Sequence, residues 1–393
     1  MKYDFETLVN RANTGSHKWD VMREEIPDIS EDIVPFSIAD MEFKPAPEIV
    51  EGLKKYLDEA ILGYTGATPS YYDAVIRFME RRHGYSPKPE WIVSSPGIVP
   101  ALKQMVTAFT KPGDSVLILR PVYPPFGKAV EENGRNLIVS ELLKKGDTYE
   151  IDFEDLEKKT ALPEVTMLIF CSPHNPVGRV WTREELLKVC DICLKNHVFI
   201  ICDEIHCDII MPGYKQTCMG TMEEKYLNNC AICTAPTKTF NIAGLQVSNL
   251  IIANEEYRSR MEQATGYRSL NIMSYKACEL AYNCCEDWLE ELLTYIYENY
   301  KTVKQFIEER LPMIKVTEMQ GTYLMWLDCR ALGMTPEEQE KFMKHKAQLF
   351  LDEGTMFGES GSGYERLSLA CPRRVLVQAM ERLEKAIKEL PAK

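Results

Sequence analysis

The chain has 393 residues, of which 45% are hydrophobic and 27% charged, and its net charge at neutral pH is -13. This length predicts two or three domains around a sizeable core, and the scattered basic residues form no stripe that would attract nucleic acid or an anionic membrane. The chain also lacks a signal-like amino terminus and any run near the roughly 18 apolar residues of a membrane span, so we expect a cytoplasmic protein.

The thirteen cysteines are interpreted as reduced thiols, most of them inside apolar runs such as LIFC and VFIIC. Two CxxC pairs exist, Cys190/Cys193 and Cys230/Cys233, and 36 residues lie between them. A compact four-cysteine zinc site usually has about 15 to 20 residues between its pairs. We therefore predict no metal site.

Short apolar runs alternate with amphipathic helical stretches through the middle of the chain. Strands of this kind, separated by helices such as TREELLKVCDICLKN, predict an α/β fold with a mostly parallel sheet flanked by helices. The runs are SVLIL (115–119), NLIVS (136–140), TMLIF (166–170), VFIIC (198–202), CAIC (230–233) and SNLII (248–252).

From about residue 286 the pattern changes to long charged helices, short strand signals and a final amphipathic helix, RVLVQAMERLEKAIKEL. This change predicts a smaller α+β domain at the carboxyl end. We expect a large domain over residues 46–285, the small domain over 286–393, and an N-terminal segment, 1–45, that packs with the small domain.

Polar residues follow three of the predicted strands. Asn175 follows TMLIF, Asp203 follows VFIIC and Lys238 follows CAIC. Because ligands bind outside the carboxyl ends of parallel strands, these side chains are expected to face one crevice. Lys238 is the only Asp, Glu, Lys or Arg between Tyr226 and Asn254, and such a lysine is costly to bury unless it is paired, deprotonated or covalently used.

An amide, a carboxylate and a lysine are the set that pyridoxal phosphate needs. Five motifs in this chain together resemble the fold-type I pyridoxal-phosphate enzymes, specifically the MalY/PatB-type carbon-sulfur lyases that include cystathionine β-lyases and cystalysin. The resemblance runs from about Tyr3 to Leu390. Its motifs are SIADMEF, SPHNPVGRVW, DEIHCDI, APTKTFNIAGL and GTYLMWLD.

The resemblance implies a role for each strand-end residue. Lys238 would form the Schiff base with the cofactor and afterwards take the proton from the substrate's Cα. Asp203 would keep the pyridine nitrogen protonated. Asn175 would donate to the ring hydroxyl, although by sequence alone an ordinary Asn-Pro turn is the better interpretation.

The other implied cofactor contacts are an aromatic stack, a phosphate cradle and polar side chains near the ring. Tyr123 would stack on the ring, and the amides of Gly97, Ile98 and Val99 would hold the phosphate at a helix start. Thr237 would add a hydroxyl to the phosphate. Tyr64 would reach it from a partner subunit, which implies a homodimer with shared active sites.

Arg366 in YERLSLA would grip the substrate α-carboxylate, a task that suits a bidentate guanidinium. Arg373 and Arg374 are close competitors by sequence alone. Arg366 is preferred because it opens a strand-like stretch at the position that the family uses, whereas the other two arginines stand at a predicted helix start.

The chain departs from aspartate-type aminotransferases, which the fold also resembles. His206 replaces a tyrosine near the ring hydroxyl, as is usual in the lyases, while Ala235 and Gln246 replace a serine and an arginine near the phosphate. Pro124 departs even from cystalysin-like sequences. The phosphate cage is therefore expected to depend more on backbone amides and on Tyr64.

The predicted function is a carbon-sulfur β-lyase that releases a thiol from cystathionine, cysteine or another S-substituted cysteine, with pyruvate and ammonia as products. An aminotransferase is the alternative enzyme, because it shares the residues up to removal of the Cα proton. A regulatory binding protein is the alternative of another class, because some relatives also act through protein partners and fold does not determine function.

Overall fold

The computed structural model of the chain describes residues 1–266 and 269–390. Within these residues the strands are, in chain order, β1 (Ile92–Ser95), β2 (Ser115–Arg120), β3 (Asn136–Glu141), β4 (Leu143–Lys145), β5 (Thr148–Glu150), β6 (Val165–Cys171), β7 (Phe199–Asp203), β8 (Cys230–Thr234), β9 (Ser248–Ile251), β10 (Lys315–Val316), β11 (Leu324–Asp328), β12 (Asp352–Glu353) and β13 (Tyr364–Ser368).

The α-helices of the same residues lie between these strands and at both ends of the chain. They are α1 (His17–Glu25), α2 (Pro47–Glu59), α3 (Pro69–His83), α4 (Ile98–Phe109), α5 (Pro125–Glu131), α6 (Phe153–Thr160), α7 (Arg183–Lys195), α8 (Glu224–Leu227), α9 (Pro236–Thr239), α10 (Glu255–Thr265), α11 (Ile272–Cys284), α12 (Glu286–Arg310), α13 (Pro336–Lys341) and α14 (Arg373–Lys388). None of them combines the length and apolarity that crossing a bilayer requires.

Seven strands form a large sheet in the order β1-β9-β8-β7-β6-β2-β3. The pairs β2-β3, β2-β6, β6-β7 and β7-β8 are parallel, and β9 pairs antiparallel with both β8 and β1. The inner strands are buried along their length because helices cover both faces of the sheet. Each of the six predicted apolar runs forms one of these strands, which confirms the predicted fold class.

One strand of the large sheet was missed. The sequence IVSS forms β1 at the edge of the sheet, where it pairs with β9. Only its two end residues are buried, so it lacks the continuous apolar run that marks the other strands. Its place is set by pairing with a strand about 155 positions later in the chain, which local periodicity does not report.

The second sheet has the order β10-β11-β13-β12 and is antiparallel. Helix α12 has the limits of the predicted charged helix, and α14 covers most of the predicted final helix. Segments outside the two sheets connect the two parts of the chain: Ile210 forms a β-bridge with Gly321, and Met211 N donates to Gln320 O. The predicted domain limits at residues 45 and 285 stay a prediction.

Candidate active site

A cavity of about 460 Å³ lies at the carboxyl ends of β6, β7 and β8, between the large sheet and the second sheet. Its position is the one expected for a ligand site in a parallel sheet. Ten of the eleven predicted site residues line it: Gly97, Ile98, Val99, Tyr123, Asn175, Asp203, His206, Thr237, Lys238 and Arg366.

Lys238 lies on the short helix α9, directly after β8, because Pro236 starts a helical turn where the strand ends. Its Nζ donates to the Ala39 backbone oxygen at 2.6 Å. Burial lowers the pKa of Lys238 to about 8, although the charge of Asp40 works in the opposite direction. About a tenth of this amine is therefore unprotonated at pH 7, far more than for an ordinary lysine, and the neutral form is the one that acts as a nucleophile or proton acceptor.

The residue after Lys238 is held in place by a chain of buried hydrogen bonds. Thr239 Oγ1 donates to Asp208 Oδ2 at 2.6 Å, and Asp208 Oδ1 lies 2.7 Å from His83 Nε2. Cys207 Sγ lies 3.5 Å from the same histidine nitrogen. These side chains could also ligate a metal ion, but hydrogen bonds inside the protein account for their arrangement, and the predicted absence of a metal stays a prediction.

Asp203 is the last residue of β7, and its side chain is 3% exposed. Ile205 N donates to its Oδ1 at 3.1 Å. Burial raises the pKa of Asp203 to about 7, and the nearby Lys238 charge reduces the rise. A carboxylate with so few partners among the described residues is stabilised by a cationic or hydrogen-donating ligand.

His206 is buried one turn beyond Asp203, with its ring edge-on to Tyr323 at 5.9 Å between centroids. Burial, together with the charges of Lys238 and Arg366, lowers the pKa of His206 to about 3, so the ring is neutral. Its Nδ1 is buried and has no hydrogen-bond partner in the described part of the chain. A polar ligand in the cavity that His206 lines could supply the missing hydrogen-bond partner.

Arg366 links three parts of the chain. Its Nη1 donates to Asn175 Oδ1 at 2.8 Å, and its Nε donates to Asp352 Oδ2 at 3.1 Å. Nη2 also donates to that oxygen of Asp352. A guanidinium has five N–H groups, so about two remain for a ligand in the cavity. Because Asn175 accepts this bond through Oδ1, its amide nitrogen can act as a donor to a ligand in the cavity.

The phosphate-binding prediction falls on the start of α4. Gly97 is the N-cap of that helix, and Pro100 at its third position has no N–H. Within the described residues, the amides of Gly97, Ile98 and Val99 donate to no protein acceptor. Free amides at the start of a twelve-residue helix form a favourable site for an anion.

Tyr64 is the predicted residue that the cavity does not include. It is 98% exposed, in the segment that follows α2. Three apolar side chains around it, Leu57, Ile61 and Leu62, are also exposed. Within one chain Tyr64 therefore contacts nothing that would explain a role in the site, and its predicted role requires a second chain.

The sequence analysis missed Asp352 and the backbone of the N-terminal segment. Asp352 Oδ2 accepts from Ile38 N at 2.9 Å as well as from Arg366. Ile38 has a φ of 59°, which is strained for a β-branched residue. Asp352 therefore positions both Arg366 and Ile38 at the border of the cavity. In the sequence, Asp352 was marked only as an acid that follows the apolar run LFL.

The N-terminal segment is fastened over the cavity by a buried ion pair. Lys18 Nζ lies 2.6 Å from Glu42 Oε1, and both side chains are almost completely buried. The same ammonium donates to the Asp40 backbone oxygen at 2.6 Å, and Trp19 Nε1 donates to Glu42 Oε2 at 3.1 Å. These bonds keep Ala39 where its oxygen meets Lys238.

The cavity fits pyridoxal phosphate on the chemistry of its donors. It offers an amine of lowered pKa and a buried carboxylate for a pyridine nitrogen. It also offers unpaired amides for a phosphate and a neutral histidine with an unpartnered nitrogen. Tyr123 adds an aromatic ring at the cavity wall, and burial raises the pKa of its hydroxyl, which stays neutral.

Comparison with known proteins gives the same family. The family model "Aminotransferase class I and II" matches residues 31–383. The chain is 40% identical over 387 residues to cystathionine beta-lyase PatB of Bacillus subtilis, covering 98% of this chain and 100% of that protein.

Solved structures agree over the whole length. Cystalysin from Treponema denticola, which contains pyridoxal 5'-phosphate, matches with a TM-score of 0.98 and 47% identity over 100% of both chains. The PLP-bound C-S lyase from Staphylococcus hominis matches with a TM-score of 0.91 and 30% identity over 99% of both chains. The chain therefore belongs to the aminotransferase class I and II family, in its branch of pyridoxal-phosphate-dependent carbon-sulfur lyases.

Proposed function

We propose that this protein removes a thiol from L-cystathionine, L-cysteine or a related S-substituted cysteine by β-elimination, with pyruvate and ammonia as the final products. The observation that carries the proposal is the placement of Lys238, an amine of pKa about 8, in the same cavity as the buried Asp203 and the partly engaged Arg366. The relationship to PatB and cystalysin supports the same reaction class.

The cofactor residues are proposed as follows. Lys238 holds pyridoxal phosphate covalently, and Asp203 faces its pyridine nitrogen, which accounts for a carboxylate buried with few partners. The amides of Gly97, Ile98 and Val99, with the Thr237 hydroxyl, hold the phosphate. Asn175 and His206 face the ring hydroxyl, and Tyr123 stacks on the ring.

The cofactor supplies an electron sink that stabilises the negative charge left when the substrate loses its Cα proton. Lys238 would take that proton, because its lowered pKa provides a neutral amine near pH 8. Its hydrogen bond to the Ala39 oxygen aims Nζ towards the side of the cavity that the N-terminal segment covers.

Arg366 binds the substrate α-carboxylate through the N–H groups that Asp352 and Asn175 leave free. This contact orients the substrate so that its Cβ–S bond can break. The sulfur leaves with the electron pair of that bond, and a thiol with a pKa of about 8.5 to 10 is a good leaving group. The enamine product takes up water and yields pyruvate and ammonia.

We also propose a homodimer whose sites are shared. The exposed group of Leu57, Ile61, Leu62 and Tyr64 is an apolar surface that a second copy of the chain would cover. A dimer that brings Tyr64 to the phosphate end of the partner's cavity would explain both its exposure and the reliance of that end on backbone amides.

A cytoplasmic location is supported by the cysteines. All thirteen are free thiols in the structure, and twelve of them are buried. Free thiols are typical of proteins in a reducing compartment.

The reaction type is tested by incubating the purified holoenzyme with L-cystathionine without any keto acid. We expect stoichiometric pyruvate, ammonia and free thiol. If pyridoxamine phosphate accumulates in a single turnover and no S-substituted cysteine yields pyruvate, the protein is an aminotransferase instead. This alternative shares the proton transfer by Lys238 and differs in the carbon that is reprotonated.

A further inference from the structure

A second cavity of about 170 Å³ opens beside the active-site cavity. The two cavities adjoin each other, because five residues line both: Tyr123, Pro124, Lys128, Met356 and Phe357. The side cavity adds the charged residues Arg120 and Glu131, while Lys128 borders both spaces. The space beside the active-site cavity is therefore bordered by two cations and one carboxylate.

Arg120 is held in place by packing, but none of the described residues accepts a hydrogen bond from its guanidinium or forms an ion pair with it. It stands at the end of β2, between Gly127 on α5 and Gly358. A Cβ at Gly358 would lie 2.6 Å from Arg120 Cδ, and a Cβ at Gly127 would lie 3.6 Å from its Nη2. The two glycines thus give the side chain its space, and a guanidinium ordered in this way loses little entropy when it binds a ligand.

The acid nearest in sheet register does not neutralise Arg120. Arg120 faces Glu141 across the β2-β3 pair, but Glu141 Oε2 accepts from Ser360 Oγ at 2.6 Å instead. In the described part of the chain, neither Arg120 nor Lys128 forms an ion pair within 4.0 Å. The neighbouring Glu132 pairs with Lys103, outside the cavity.

We propose that this side cavity is a subsite for the second α-amino acid group of a long cysteine S-conjugate, with Arg120 and Lys128 binding its distal carboxylate and Glu131 its distal ammonium. The inference rests on the proposed lyase function and assigns the residues that would favour its long substrate over a short one. The side cavity has two cations and one anion. This pattern complements an α-amino acid group, whose carboxylate can accept from two cationic donors while its ammonium pairs with the anion. Cysteine itself is too short to reach it.

The test is the ratio of kcat/KM for L-cystathionine to kcat/KM for S-methyl-L-cysteine, which lacks the distal group. Arg120→Met and Lys128→Met should each lower this ratio about 10-fold, because each removes one charged contact that only the long substrate makes. Lys128 is exposed, so its replacement does not endanger folding. Lys111→Met is the matched control, because Lys111 is an exposed lysine that lines neither cavity, and its ratio should stay unchanged.

Binding of 2,7-diaminosuberate gives a second measurement that does not depend on turnover. This compound replaces the sulfur of cystathionine by a methylene group, so no thiol can leave. Calorimetry should show about 10-fold weaker binding of this compound to Lys128→Met than to the unmutated holoenzyme. Norleucine, which has no distal charge, should bind the two proteins with the same affinity.

The outcomes separate the two proposals. If the unmutated enzyme forms pyruvate from neither substrate, the lyase function is wrong and the subsite is wrong with it. If both substrates are cleaved and the ratio is the same in Arg120→Met, Lys128→Met and Lys111→Met, the subsite alone is overturned. A lowered ratio with weaker diaminosuberate binding supports it.

Discussion

Arg366 Nη1 donates to Asn175 Oδ1 at 2.8 Å, across 191 positions of the chain. The bond joins β13 of the second sheet to the loop after β6 of the large sheet. Arg366 also forms an ion pair with Asp352 and so neutralises its negative charge. One side chain therefore connects the two sheets, neutralises a buried acid and presents its remaining N–H groups to the cavity.

The first prediction separates binding by Arg366 from its structural role. Arg366→Met leaves Asp352 buried without its cation, so the unfolding free energy should fall by about 3 to 5 kcal/mol. The double variant Arg366→Met/Asp352→Asn should recover much of that loss in a urea titration. Its kcat/KM should nevertheless stay at least about 10²-fold below that of the unmutated enzyme, because the substrate carboxylate still lacks its partner.

Arg373→Ala is the control for these two variants. Arg373 lies at the start of α14, where it donates to Asn299, and it does not line the cavity. A double variant with unmutated kcat/KM, or a larger loss in Arg373→Ala, would refute the carboxylate role of Arg366.

The second prediction concerns the covalent attachment of the cofactor. Borohydride reduction of the holoenzyme, followed by peptide mapping, should place the pyridoxyl label on Lys238. Lys238→Ala should lose the label and about 10³-fold or more in rate, because the proton acceptor is gone. Label on Lys18, the other deeply buried lysine near the cavity, would contradict the assignment.

The third prediction follows from the pKa of Asp203, about 7 in the folded protein against an ordinary 3.8. Between pH 4 and 7 the folded, cofactor-free protein binds more protons than the unfolded chain, so its stability falls as pH rises through this window. Asp203→Asn removes this loss. Above pH 7 the cofactor-free variant should exceed the unmutated protein by at most about 4 kcal/mol, and below pH 4 the two should be equal.

Urea titrations of cofactor-free protein at several pH values measure this difference. Asp73→Asn, an exposed acid on α3, is the control and should show no such trend. A stability difference between Asp203→Asn and the unmutated protein that is the same at every pH would show that Asp203 is not the group responsible.

The fourth prediction tests sharing of the site between subunits. A heterodimer of a Lys238→Ala chain and a Tyr64→Phe chain should contain one site with neither change, and its activity should exceed that of the Tyr64→Phe homodimer. The Tyr64→Phe change should itself cost about 1 kcal/mol through one lost phosphate hydrogen bond.

The control mixture combines Lys238→Ala with Asp203→Asn. Both residues line the cavity of the same chain, so every site of the heterodimer carries a lesion and no recovery is expected. Verified Lys238→Ala/Tyr64→Phe heterodimers without recovery would mean that each site lies within one chain.

The sequence by itself determined six of the seven strands of the large sheet and the polar residues that follow three of them. Lys238, Asp203 and Asn175 were found because buried parallel strands are continuous apolar runs, and one general rule places their carboxyl ends at a common edge. Both signals are local in the chain. The structure accordingly brings all three residues to the same cavity.

Only the tertiary structure decided how the second sheet and the N-terminal segment close that cavity. Asp352 lies on a two-residue strand, too short for any periodicity, and contacts Ile38 across 314 positions. The bond from Lys238 to the Ala39 oxygen spans 199 positions. Such contacts depend on how separately formed elements dock, and the same holds for Glu141, the register neighbour of Arg120, which accepts a hydrogen bond from Ser360 instead. Local patterns carry no information about docking of this kind.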